Sequence, residues 1–152
     1  QNDMRVLLLH LRPTELENKT LQEGLQMILK ELTDKSNIHV VYKDMGKKVP
    51  KRIENNLFRI AQEFISNTLK HAKASQIEVY LYQNSQEIQL KMLDNGVGYD
   101  LNASTDEMSY GLKNIQERVD EMAGTVQFLS AKGKGTSIDV RVPILRGEDN
   151  VE

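Results

Sequence analysis

Two segments of alternating apolar residues, joined by a short polar link, constrain the fold of this chain most. Residues 77–81 and 88–92 place an apolar side chain at every second position, a period typical of half-buried β-strands. The link Asn84-Ser85-Gln86 between them predicts a β-hairpin. Asp94 lies two residues beyond Met92 and so has the parity of the core-facing residues. A carboxylate on the interior side of a sheet needs a partner.

Helices are predicted on both sides of this hairpin. Residues 20–23 have a capping-box pattern, and apolar residues at helical spacing predict a helix from about Thr20 to about Lys35. Pro50 suits the first turn of a second helix. A third helix over residues 112–122 has Gly124 as its predicted C-terminal cap. The apolar stripe of the second helix consists of Ile53, Leu57, Ile60 and Phe64.

Three further strands complete the predicted sheet. Residues 38–42 are rich in β-branched side chains, and residues 126–128 and 138–142 alternate around a tight turn at residues 133–136. Residues 101–109 are polar and aperiodic, so we expect a mobile loop there. The order of helices and strands lacks the strict alternation of a doubly wound parallel sheet. It predicts a two-layer α/β sandwich, with three helices over one mixed sheet.

Length and composition are those of one globular domain. The chain has 152 residues, of which 39% are hydrophobic and 28% charged. Its net charge of -2 gives no reason to propose a nucleic-acid or membrane surface, and the absence of cysteine excludes disulfides and thiolate catalysis. We expect residues 1–13 to be the end of a further helix, residues 14–145 to form the domain and residues 146–152 to be a disordered tail.

Three polar residues lie along one flank of the predicted second helix. With Ile60 as reference and about 100° per residue, Asn67 lies at about -20°, Glu63 at about -60° and Lys70 at about -80°. Amide and carboxylate oxygens are ligands that Mg²⁺ accepts together with phosphate oxygens. Lys70 adds a cation where phosphate charge could be neutralised. Taken alone, the same residues also fit a solvated helix face with one i,i+4 hydrogen bond.

Residues 94–98 (Asp-Asn-Gly-Val-Gly) have two interpretations. Asn-Gly is the strongest two-residue hairpin signal, but no returning strand follows in residues 99–104. In the alternative, Asp94 accepts a hydrogen bond from an exocyclic amine in a buried pocket. Gly96 and Gly98 would then let the backbone approach a flat ligand closely.

Two further glycine-containing segments are candidate anion sites. Gly111 is predicted to open a helix directly after the loop, where free backbone amides bind anions. Gly133, Gly135 and Thr136 either shape a second rim near phosphates or simply turn a hairpin. They do not form a Walker A loop, because Gly135 and not Ser or Thr follows Gly-Lys.

In this order, the four motifs resemble those of the catalytic ATP-binding domain of bacterial sensor histidine kinases, in the superfamily shared by gyrase, Hsp90 and MutL. Residues 63–71 resemble its N box, residues 94–98 its G1 box, Gly111-Leu112 its G2 region and residues 133–136 its final glycine-rich box. The resemblance covers residues 20–143, nearly the whole domain.

Within that family, the sequence is similar to one subgroup. Residues 109–119 and 7–13 look like those of the subgroup that includes nitrate-sensor and DesK-type kinases. The likeness is greatest to cell-envelope stress kinases of Gram-positive bacteria, of the LiaS/VraS type.

The resemblance implies a Bergerat-type (GHKL) fold that binds ATP and Mg²⁺. Asn67 would ligate Mg²⁺, Glu63 would give metal or catalytic support, and Lys70 and His71 would lie near the phosphates or ribose. Asp94 would read the adenine amino group. Residues 101–109 would form a short ATP lid. The other implied nucleotide-binding positions are Gly96, Gly98, Tyr99, Gly111 (also the hinge of the lid), Leu112, Gly133, Gly135 and Thr136.

The resemblance also implies partners. None of His10, His39 and His71 lies in the phospho-accepting motif of the family, so the γ-phosphoryl group would pass to a histidine on a separate dimerisation segment and then to a response regulator. The full-length protein would be a membrane-anchored homodimer with this domain in the cytoplasm, and the chain alone is expected to be a monomer. The alternatives are a GHKL ATPase module, a serine-kinase anti-sigma factor and a non-catalytic interaction domain with the same fold.

Overall fold

The computed structural model describes residues 19–98, 106–145 and 147–148, and only the backbone of residues 71, 72 and 106–108. The predicted helix end at residues 1–13 therefore lies outside the described residues. So do most of the predicted tail and Tyr99. In the described ranges, the elements in chain order are α1 (Leu21–Lys35), β1 (His39–Asp44), α2 (Lys51–Asn67), a π-helical turn (Thr68–Ala72), β2 (Gln76–Gln83), β3 (Glu87–Asp94), α3 (Asp106–Glu121), β4 (Thr125–Ser130) and β5 (Thr136–Pro143).

The five strands form one mixed sheet in the order β1-β2-β3-β5-β4. β1 pairs with β2 in parallel, and the other three pairs are antiparallel. The three helices pack over this sheet, so the predicted two-layer architecture is confirmed. The predicted β2–β3 hairpin is also confirmed. The Asn84 carboxamide oxygen accepts hydrogen bonds from the backbone N–H groups of Gln86 (2.7 Å) and Glu87 (2.9 Å) and thereby closes its turn.

The start of α1 is fixed by side chains from two helices. The Thr20 hydroxyl accepts from the Glu23 backbone N–H at 3.0 Å, and the Glu23 carboxylate accepts from the Thr20 N–H at 2.8 Å, which confirms the capping box. The buried Glu54 carboxylate of α2 accepts from the Leu21 N–H at 2.7 Å. A helix start leaves its first N–H groups without partners inside the helix, so this bond ties α2 to α1.

The core lies between the helices and the sheet. The predicted stripe of α2 is buried, and the alternating residues of β2, β3 and β5 face it. Full burial of each such aliphatic or aromatic side chain stabilises the fold by roughly 1.5–3 kcal/mol. The apolar side chains of α2 in this core include Ile53, Leu57, Ile60 and Phe64.

The N-terminal part of α3 differs from the sequence prediction. The helix begins at Asp106, so the predicted loop is wrong for residues 106–109. Gly111 is therefore inside the helix, beyond the first four residues whose N–H groups lack intrahelical partners. The prediction that Gly111 supplies a helix-start amide to an anion is wrong for this reason.

The C-terminal end of α3 also differs in detail. Ala123, not Gly124, adopts the left-handed conformation, with φ +57°. The Gly124 N–H donates to the Val119 carbonyl at 3.0 Å and the Ala123 N–H to the Asp120 carbonyl at 3.0 Å, the pair of bonds of a Schellman motif. Gly124 thus follows the left-handed residue. A Cβ there would lie 2.6 Å from the Arg141 carbonyl oxygen, so β5 requires the glycine.

Candidate functional site

The C-terminal ends of α2 and β3 meet at a buried carboxylate. Asp94, the last residue of β3, is 7% exposed, as its parity predicted. The Thr68 hydroxyl donates to Asp94 Oδ2 at 2.9 Å, and the Gly96 backbone N–H donates to Asp94 Oδ1 at 2.9 Å. Each carboxylate oxygen of Asp94 therefore has one donor from the protein and a remaining lone pair for a ligand.

The sheet places Thr136 beside this carboxylate. Asp94 and Thr136 are paired residues of β3 and β5, and both are buried on the helix-covered face. The Thr136 hydroxyl lies 2.8 Å from Ser130 Oγ, which also donates to the Gly135 carbonyl at 3.1 Å. The ends of β4 and β5 are thus joined through polar side chains beside the last residue of β3.

Two glycines allow residues 94–98 to pack directly against the β4–β5 turn. Gly98 has φ +71°, and a Cβ there would lie 2.0 Å from the Ala131 carbonyl oxygen. Gly135 has φ +77°, and a Cβ there would lie 2.2 Å from the Asp94 carbonyl oxygen. The Gly133 N–H donates to the Val97 carbonyl at 2.5 Å. Residues 133–136 therefore both turn the hairpin and form a wall for residues 94–98.

Glu63 and Asn67 converge on the backbone of α3. A Cβ on Gly111 would lie 2.6 Å from Glu63 Oε2 and 3.3 Å from Asn67 Nδ2. Asn67 is 9% exposed, and Glu63 is half-buried. Gly111 thus belongs to the site because its missing side chain leaves room for two polar groups, whereas the sequence suggested a backbone amide. A cleft of about 470 Å³ between α2 and α3 is lined by Arg59, Glu63, Ser66 and Tyr110 among others.

The remaining predicted site residues that the structure describes are Lys70, His71 and Leu112. Lys70 is exposed on the π-helical turn, so its angular position, estimated for an uninterrupted α-helix, does not hold. The backbone of His71 follows in the same turn. Leu112 is half-buried beside Gly111. A second cleft, of about 350 Å³, touches Asp94 and Thr136 but is also lined by Leu93, Leu129 and Ser137, which have the opposite parity in their strands.

The oxygen atoms of Glu63 and Asn67 suit a Mg²⁺ ion that is bound together with phosphate better than a metal ion that is bound by protein groups alone. Among the residues that the structure describes, no group of three or more His, Cys, Asp or Glu could hold a metal ion. Mg²⁺ is usually bound by one or two protein oxygens together with water and phosphate oxygens. One carboxylate and one carboxamide therefore match a magnesium ion that arrives with a phosphate ligand.

Two residues of the site were missed by sequence reasoning. The sequence pattern assigns Thr68 no role of its own. Asn-Gly at residues 95–96 indicates a hairpin turn, but the Asn95 carboxamide oxygen accepts from the N–H groups of Ser75 and Gln76, both at 2.9 Å. Asn95 Nδ2 also donates to Ser75 Oγ at 2.9 Å, so Asn95 joins the end of β3 to the start of β2. The only sequence signal for Thr68 was its place directly after Asn67.

Comparison with known sequences gives consistent matches. The profile of the family described as histidine kinase-, DNA gyrase B- and HSP90-like ATPase matches residues 52–146. The sensor histidine kinase LiaS of Bacillus subtilis is 43% identical over 148 residues, which cover 97% of this chain and 41% of the relative. The sensor protein VraS of Staphylococcus aureus strain COL is 42% identical over 152 residues, covering 100% and 43%. The chain thus spans about two fifths of these relatives.

Comparison with solved structures supports the same fold. The histidine kinase domain of the blue-light activated histidine kinase of Erythrobacter litoralis EL346 has a TM-score of 0.66 and 16% identity, with 92% of this chain and 71% of that chain covered. The mycobacterial sensor histidine kinase MprB has a TM-score of 0.61 and 18% identity, with 82% and 96% covered.

In the described ranges, no helix has both the length and the apolar character needed to cross a membrane.

Proposed function

Because this chain belongs to the histidine kinase-, DNA gyrase B- and HSP90-like ATPase family, we propose that it is the catalytic domain of a sensor histidine kinase. In this role it binds ATP with Mg²⁺ and donates the γ-phosphoryl group to a protein histidine. The observation that supports this most is the buried Asp94 carboxylate, with an acceptor site left on each oxygen after its bonds to Thr68 and Gly96.

The base binds at the Asp94 end of the site. The exocyclic amino group of adenine is a donor, and Asp94 offers it an acceptor in a buried environment, where hydrogen bonds are strongest. Gly96 and Gly98 border the base, and Thr136 lies beside Asp94. A base with a carbonyl oxygen at the same position would leave both acceptors unpaired, so the site selects adenine over guanine.

The phosphates bind at the other end of the site, beside Asn67 and Glu63. Asn67 and Glu63 offer oxygen ligands to Mg²⁺, and Lys70 and His71 lie near the phosphates. When bound, Mg²⁺ would neutralise part of the phosphate charge. Gly111 and Leu112 border this end, and the close packing at Gly111 keeps Glu63 and Asn67 together. Gly133 and Gly135 shape the wall behind residues 94–98.

The acceptor is the imidazole of a histidine on a helical dimerisation segment of the full-length protein. An imidazole nitrogen attacks the γ-phosphorus in line, the bond to the β,γ-bridging oxygen breaks, and ADP leaves with that electron pair. Catalysis comes mainly from positioning and charge neutralisation. The phosphoryl group then passes to the receiver domain of a response regulator. We propose that the full-length protein is a membrane-anchored homodimer with this domain in the cytoplasm.

Calorimetric titration with a non-hydrolysable ATP analogue, with and without Mg²⁺, tests the nucleotide site. The decisive variant is Asp94→Asn, which keeps the shape of the side chain but removes one acceptor. A hydrogen bond to a charged group is worth about 1.5–3 kcal/mol, so we expect affinity to fall by roughly 10- to 150-fold. Saturable binding that needs Mg²⁺ and Asp94 supports the proposal.

Asp44→Asn is a matched control. Asp44 also ends a strand and accepts a hydrogen bond from the backbone N–H two residues later, that of Gly46, at 2.6 Å. It lies on the edge strand β1, two strands away from β3. We expect its affinity to stay within about twofold of the unchanged chain. A folded chain that binds no nucleotide, or equal losses in both variants, would refute the nucleotide-site assignment.

A further inference from the structure

Thr68 has no part in the chemistry proposed above, yet it contacts the group that reads the base. Its side chain is 2% exposed, and its hydroxyl donates to Asp94 Oδ2 at 2.9 Å. The two residues are 26 positions apart in the chain, so the contact depends on how α2 ends against the sheet. An ionised carboxylate is only an acceptor, which fixes the direction of this hydrogen bond.

The two donors to Asp94 constrain it from different sides. The Gly96 N–H comes from the segment that follows β3, and the Thr68 hydroxyl comes from the turn that follows α2. With one donor on each oxygen, both the side-chain rotation and the plane of the carboxylate are set. Without Thr68, Gly96 alone would hold one oxygen and the carboxylate plane could rotate about that bond.

The Thr68 backbone is itself held firmly. Its N–H donates to the carbonyl oxygens of Ile65 and Phe64, in the last turn of α2. Thr68 is also the first residue of the π-helical turn, and such turns are frequent at functional sites. The hydroxyl is therefore presented to Asp94 from a rigid position directly after Asn67, a residue of the phosphate end of the site.

We propose that Thr68 is a positioning residue for base selection: it orients the Asp94 carboxylate to accept the exocyclic amino group of adenine. This inference rests on the proposed function and adds a residue to it. Orientation before binding matters because a side chain that must be ordered on binding reduces affinity. The effect concerns the amino group alone, so Thr68 should contribute little to binding of a purine that lacks it.

Thr68→Val tests this, because valine has the shape of threonine without the hydroxyl. The non-hydrolysable ATP analogue and the same compound with purine in place of adenine, which lacks the amino group, are titrated into the 152-residue chain. The unchanged chain should bind the purine compound about 10- to 100-fold more weakly. In Thr68→Val, we expect affinity for the ATP analogue to fall about tenfold and that for the purine compound less than threefold. The ratio of the first affinity to the second should therefore fall by more than about threefold.

Two further variants keep the test decisive. Thr68→Ser retains the hydroxyl, and its ratio should stay within about threefold of the unchanged chain. Thr68→Ala replaces Thr68→Val if the valine variant does not fold. Equal losses for both compounds, or an unchanged ratio, would overturn the role of Thr68 while leaving the nucleotide site intact. Failure of the unchanged chain to bind the ATP analogue would overturn the proposed function and this inference together.

Discussion

Gly111→Ala separates the stability of α3 from the geometry of the site. Gly111 lies in the interior of α3, where replacing Gly by Ala stabilises a helix by about 1 kcal/mol. The new Cβ would lie 2.6 Å from Glu63 Oε2, well inside the 3.4 Å at which ordinary contact begins. Because that oxygen is the end of a flexible side chain, Glu63 can rotate away, at a cost of about 0.5–1.5 kcal/mol.

In the wild-type chain, the gain in helix stability from alanine and the cost of rotating Glu63 nearly cancel. We therefore expect Gly111→Ala to change the free energy of unfolding by no more than about 0.5 kcal/mol. In a Glu63→Ala background the carboxylate is absent, and the same substitution should stabilise by the full ~1 kcal/mol, or about 2–4 °C in Tm. The coupling energy between the two positions is then about 1 kcal/mol, within the range for residues in contact.

Urea unfolding of the four chains in this cycle measures the coupling directly. Glu63→Gln is the matched control, because it removes the charge but keeps the size of the side chain, so Gly111→Ala should gain nothing in that background. Equal stabilisation in all three backgrounds would show that Glu63 does not contact Gly111. Since Gly111→Ala displaces Glu63, ATP-dependent phosphoryl transfer should fall by at least about tenfold without loss of stability.

Three other substitutions test the packing around the site and can all be followed by urea unfolding. Gly135→Ala should destabilise by about 2–4 kcal/mol, because its Cβ would lie 2.2 Å from the Asp94 carbonyl oxygen. Ala123→Gly should stabilise by about 0.5–1 kcal/mol, since it relieves a left-handed alanine at φ +57°. In Glu148→Gln, the free energy of unfolding should fall less than in the wild-type chain as the pH is lowered. A hydrogen bond from Arg52 holds the pKa of Glu148 below its ordinary value of 4.5, so its contribution is present above that pH and is lost as the pH falls through the native pKa.

Each of these has a distinguishing control. Gly133→Ala shares the left-handed conformation of Gly135 but has nothing within 4 Å of the new Cβ, so it should cost only about 1 kcal/mol. Equal losses at the two glycines would contradict the contact with Asp94. Ala123→Gly without stabilisation would contradict the left-handed cap. A Glu148→Gln chain with unchanged acid sensitivity would contradict the bond to Arg52.

The sequence contained enough local information to predict the sheet and half of the site. Alternation over residues 77–81 and 88–92 set the hairpin, and the same period placed Asp94 on the buried face, because side-chain direction in a strand depends only on parity. The capping box at Thr20 is likewise a local pattern. The family resemblance is confirmed by the match to the family profile and by the sequence identity with LiaS and VraS. The individual roles of the site residues stay predictions.

What the sequence did not reveal depends on contacts between distant parts of the chain. Ala123 is left-handed because Gly124 is needed where α3 meets β5, and helix-end statistics alone favour the glycine as the cap. The position of Lys70 was misjudged because a π-helical turn replaces the α-helix after Asn67. The start of α3 could have been found, since Thr105 before two acidic residues is a typical helix start.

The order of strands in the sheet has a consequence for how the chain folds. β5, the last strand of the described residues, lies between β3 and β4, and in that part of the chain β4 has no other strand neighbour. A chain made from its N-terminus can pair β1, β2 and β3 early. The wall that faces Asp94, however, requires the turn that leads into β5. Such pairing of distant segments is slow, so we expect the wall beside Asp94 to form late in folding, when β5 is inserted between β3 and β4.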